Sequence, residues 1–265
     1  MTFLSRAATV RAASSGLAFG GLAMCPQPLS KASKSGNYVL SNDPLMKTPE
    51  LGALVATAIA GWAMIETLLG DSFVALIGRK QPVTMSMYTA LTSPELRQKL
   101  FEAAAKELLP LKYANLVSDV LAALDVLAQK RHKFAHWLWG RPTDPELAGT
   151  LILVHPKHHW DHLMATAKHW RRPSVRKDPL VFAWRDTPKL DANFIFVYRA
   201  EELRQVCDEM DGGYKQAQML HDMMFVRPAR RKELYSRLYA EPAIRVARNQ
   251  RKKKSQKAAQ KAPPK

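Results

Sequence analysis

Arg131, His132 and His136 are the residues of this chain whose types and spacing best suit chemistry, because they pair groups that move protons with one that holds an anion. At about 100° per residue, the helical stretch before them puts Arg131 in line with Leu127 and Tyr113, at the centre of an apolar stripe. His132 and His136 share the adjoining face. A guanidinium left unpaired on such a stripe would cost several kcal/mol, so Arg131 either meets an acid or faces a wet cleft. Glu66, another isolated charge on an apolar helix, is the expected partner, within salt-bridge reach. The competing reading is structural: Arg131 and His136 could form hydrogen bonds that close a core helix.

A second constellation runs from His155 to His162, with Lys157, Trp160 and Asp161 interleaved. His158 and His162, four apart, could face one metal ion on a helix, but no second ligand cluster accompanies them. The segment reads better as a basic and aromatic surface, continued by His169, Trp170, Arg171 and Arg172 and suited to phosphates and bases. Nucleic-acid contacts are therefore assigned to His158, His162, Arg171 and Arg172, and to Arg251, Lys252, Lys253 and Lys254 near the C-terminus. A solvated helix with its tryptophans tucked into the core explains the same pattern without a ligand. The phosphate-binding glycine loop, the dinucleotide fingerprint, the nucleophile elbow and the paired zinc-cysteine motif are all missing, so no metal or cofactor is implied.

The elements that must carry these groups are mostly helices. Leu51 to Ile65 is an uncharged apolar run, entered at Pro49 and Glu50 and followed by Glu66, Asp71 and a second apolar patch before Gly78. It reads as a buried helix, too short and too interrupted by acids for a membrane span of about twenty apolar residues, so no membrane partner is implied. Ser93, Pro94 and Glu95 supply a cap, a first-turn proline and a first-turn acid for a helix that Pro110 ends. Tyr113, Leu116, Val117, Val120, Leu124 and Leu127 then mark one face of a helix from Lys112 through His136. Beyond Gly140, short β-type runs at Thr150 to His155, Leu180 to Arg185 and Asn193 to Tyr198 predict a small antiparallel sheet, with a helix near Asp161 to Trp170 between them. Ala200 to Val226 returns to helix, with Gly212-Gly213 as a potential interruption.

The net charge is +17, and from Arg227 to the end fourteen Lys or Arg stand against two acids, so most of the basicity is a tail. From Arg251 onward almost nothing apolar is left to bury, so this end is expected to stay solvated and disordered, attracting phosphate without reading sequence. Cys25 and Cys207 lie far apart and suggest no disulfide framework, which fits a reducing, cytoplasmic setting. The small apolar stretch Gly16 to Met24 resembles an export segment only superficially: it is short and glycine-rich, and Met24 stands where a lipoprotein cleavage box wants a small residue. The expected organisation is a flexible leader over 1–48, a mainly α domain over 49–226 with a small antiparallel β element in its C-terminal half, and a basic tail over 227–265.

Arg131-His132-Lys133-Phe134-Ala135-His136 resembles the arginine, polar residue, three residues, histidine signature of HEPN domains (higher eukaryotes and prokaryotes nucleotide-binding). The resemblance covers about Glu50 to Gly140 and implies a helical bundle. Many members are metal-independent endoribonucleases that act as dimers in defence or toxin–antitoxin settings. It implies that His136 moves the proton as an RNA 2′-hydroxyl attacks the neighbouring phosphorus, while Arg131 holds the phosphate and stabilises its growing charge. His132 would contact substrate or orient His136, and Glu66 would support Arg131. RNA, a second copy of the chain and an antitoxin or other protein are the partners implied. A non-catalytic RNA-binding or protein-interaction module is the alternative.

Overall fold

The computed structural model describes residues 26–33, 37–41, 43–78, 81–171, 188 and 190–261. Helices dominate. After α1 (Leu29–Ala32) and α2 (Asp43–Lys47), α3 runs unbroken over Pro49–Ile77 and ends at Gly78, whose φ of 73° is the left-handed conformation that closes many helices. Its buried residues Leu51, Val55, Ala58, Trp62, Ile65, Leu69 and Phe73 recur every three or four positions, so one stripe faces the bundle. The helix runs through Glu66 and Asp71 to its Gly78 stop as the sequence suggests, but the expectation that it is too short for a membrane span is corrected: at 29 residues it is long and apolar enough to cross one by length and composition.

Next come α4 (Gln81–Ala90), α5 (Pro94–Leu108) and α6 (Leu111–His136). Ser93 caps α5 as the sequence suggests, its hydroxyl accepting from the Leu96 N–H at 3.4 Å. Beyond the sheet strands lie α7 (Pro156–Trp170), α8 (Ala200–Phe225), α9 (Pro228–Ala240) and α10 (Pro242–Lys261). Helix α8 packs along α3 and against α6. Gly213 does not break it: a Cβ there would sit 2.3 Å from Leu127 Cδ1, so the glycine permits the close approach of α6.

Among the described residues the sheet has five strands in the order β1-β5-β4-β3-β2, every neighbouring pair antiparallel. These are β1 (Gln27–Pro28), β2 (Tyr38–Leu40), β3 (Leu138–Pro142), β4 (Leu151–Val154) and β5 (Ile195–Tyr198). Central β4 is buried on both faces: Leu151 and Leu153 join the helical core, while Ile152 and Val154 join a smaller cluster with Leu29, Ile195 and Val197. The run Leu180 to Arg185 lies outside the described residues.

Two expectations about the ends are corrected. The second half of the expected flexible leader supplies both edge strands, and Leu29 is fully buried beneath the sheet because its strand neighbours need an apolar cover. The tail packs as well. Leu234, Leu238, Ile244 and Ala247 bury against the bundle, and helix continues through Arg251 to Lys261, because Arg251 finds a buried acid on α6.

Candidate nucleic-acid interface at the end of the motif helix

Helix α6 stops at His136 because Trp137 turns extended, with its N–H still donating to the Lys133 carbonyl at 2.9 Å. The chain then enters β3 and returns through β4 to the start of α7, so the ends of α6 and β4 and the start of α7 come together. His132 and His136 are exposed, with ring centroids 4.7 Å apart. Arg131 is half-buried, and its Nε has no hydrogen-bond partner among the described residues.

The expected Glu66–Arg131 pair is not formed. Glu66 instead faces Arg97 of α5 at 3.8 Å, across a cleft that Trp62, Tyr88 and Asp125 also line. The physical reason is that α5 packs against both α3 and α6 and brings a cation nearer to Glu66 than the end of α6 can.

Around the histidine pair the structure assembles cations and rings that spacing alone did not connect. The Lys133 ammonium lies 5.3 Å from the Trp137 ring and 5.2 Å from that of Phe196, and burial, then Lys130, pushes its pKa down. Trp137 meets His155 edge-on at 4.8 Å, His155 meets His158 at 5.0 Å, and His158 stacks on Phe194 at 3.6 Å. Burial lowers the His155 pKa first, followed by the charges of His158, Lys157, His132 and Lys133. Among the described residues no carboxylate forms an ion pair with Arg131, His132, Lys133, His136, His155 or His158. A cluster of cations and rings without such ion pairs suits an anion carrying flat rings.

The other assigned residues divide. His162 is on α7 with its Nδ1 buried and unpartnered, and its pKa is lowered by burial and then by His159. Arg171 is exposed at the end of α7, and Arg172 lies outside the described residues. Lys252, Lys253 and Lys254 are exposed on α10. Arg251 is not free for phosphate: its Nε and Nη2 donate to Asp119 at 2.7 and 3.1 Å, and Nη1 donates to Asn115 at 3.0 Å. Sequence reading missed Asp119 because it is one acid on a helix with several polar positions. Also missed was a ladder of rings, Tyr113 against Tyr235 at 5.3 Å and Tyr235 against Tyr239 at 5.5 Å, with the Arg248 guanidinium 3.7 Å from the Tyr239 centroid. Among the described residues, no three His, Cys, Asp or Glu side chains gather closely enough to hold a metal ion. No protein-family model, curated protein or solved structure matches this chain.

Proposed function

We propose that the protein is an RNA-directed HEPN-like endoribonuclease acting without a metal at the end of α6. The observation that carries this reading is the exposed His132–His136 pair beside an arginine whose Nε lacks a partner. His136 takes the proton from the RNA 2′-hydroxyl as its oxygen attacks phosphorus; the bond from phosphorus to the 5′-oxygen breaks, leaving a 2′,3′-cyclic phosphate, and the departing 5′-oxygen takes a proton from water. Arg131 donates to the phosphate oxygens, where negative charge grows in the transition state. His132 positions its neighbour or the substrate. Lys133, Trp137, His155, His158 and Phe194 extend the contact to adjoining nucleotides, and exposed Lys252, Lys253 and Lys254 raise the local RNA concentration.

The active assembly in this proposal is a homodimer with His136 at or near the interface, which would bring two motifs to one phosphate. Cytoplasmic action and control by an antitoxin belong to the same reading. A second reading, RNA binding without cleavage, is favoured by the length of the ring-and-cation series, which extends beyond what one phosphate requires. Incubating RNA with the protein in EDTA separates the two. Cleavage lost in His136→Ala supports catalysis, and salt-dependent retention with no cleavage supports the binding module. Absence of both cleavage and retention removes the RNA role altogether.

A further inference from the structure

The cleft between α3, α4, α5 and α6 is separate from the histidine pair and has a different chemistry. Its volume is about 480 Å³, within the range of small-ligand sites. Trp62, Glu66 and Leu69 of α3 share one helical face, as do Pro94, Arg97, Gln98 and Phe101 of α5. Glu66 and Arg97 stand 3.8 Å apart, longer than a charge-assisted hydrogen bond. Arg97 is held independently of Glu66, by the Leu91 carbonyl at 2.6 Å and by the Tyr88 ring at 5.7 Å. Glu66 makes no hydrogen bond to any described residue.

A carboxylate and an anchored guanidinium thus stand side by side as an ion pair too long for a hydrogen bond. A group carrying an N–H next to a C=O would donate to Glu66 and accept from Arg97 at once, while Leu69, Phe101 and Leu124 line the cleft with apolar surface. We infer that this cleft binds a small planar heterocycle with a lactam edge, an N–H beside a ring carbonyl. This inference does not rest on the RNA cleavage proposed above.

The test uses the full chain with inosine, which has that edge, and purine riboside, which lacks both the N–H and the carbonyl. Binding is read by titration calorimetry and by tryptophan fluorescence. Inosine should bind on the order of tenfold more tightly than purine riboside, and Glu66→Gln should weaken inosine by a similar factor. Arg97→Met removes the donor and should also weaken inosine, while circular dichroism checks that each variant remains folded. His136→Ala should leave inosine binding unchanged, which separates this site from the proposed nuclease. Equal binding of the two nucleosides, no inosine binding, or unchanged affinity in folded Glu66→Gln would overturn the inference.

Discussion

Replacing Arg251 by methionine should destabilise the protein strongly. The Asp119 side chain is 3% exposed, whereas that of Arg251 is 37% exposed. Removing the guanidinium therefore strands a buried carboxylate, a change that typically costs about 3 to 5 kcal/mol. Urea denaturation of Arg251→Met should thus show a loss of about 3 to 5 kcal/mol at pH 7. The reverse change, Asp119→Asn, leaves Arg251 able to turn to water and should cost about 1 kcal/mol. If Arg251→Met lies within about 0.5 kcal/mol of the parent at pH 7, with helix content unchanged, the reasoning fails.

Gly212→Ala and Gly213→Ala should act in opposite directions. A Cβ at Gly212 meets open space and should stabilise α8 by up to about 1 kcal/mol, whereas one at Gly213 collides with Leu127, Ile65 and Leu124 and should cost about 1 to 3 kcal/mol, both read by thermal melts. His155 and His162 are held below the ordinary imidazole value, so below about pH 6.5 the unfolded chain binds more protons than the folded one and stability falls. Melting temperature should therefore drop between about pH 7.5 and 5.5, and by less in a His155→Asn variant. Truncation after Val226 should lower the melting temperature as well as RNA affinity, since Leu234, Leu238 and Ile244 are buried; an unchanged melt would contradict this.

Helix positions were legible because their physical signals are local. The Ser93-Pro94-Glu95 start, the Gly78 stop and the stripe from Tyr113 to Leu127 each depend on residues within a few turns of one another. Partners across the fold were not legible. Glu66 and Arg131 looked like a pair because each is isolated in sequence, yet Arg97 reaches Glu66 first. Strands β1 and β2 were hidden because two or three residues carry no detectable alternation, and β3 because Gly140, Arg141 and Pro142 read as a turn. Gly140 is required there by contact rather than conformation: a Cβ would lie 2.6 Å from the Val39 carbonyl oxygen.

Both outer strands of the sheet come from residues 27–40, but the three they flank come from residues 138–198. During synthesis β2 therefore waits for roughly a hundred residues, and β1 for about 170, before their hydrogen-bonding partners emerge, a high sequence separation that slows folding. A chain started at Thr48 would leave β3 and β5 each with an open edge, available to pair with another molecule. Strands β1 and β2 thus cover the longer strands β5 and β3, and leave outer edges of only two and three residues.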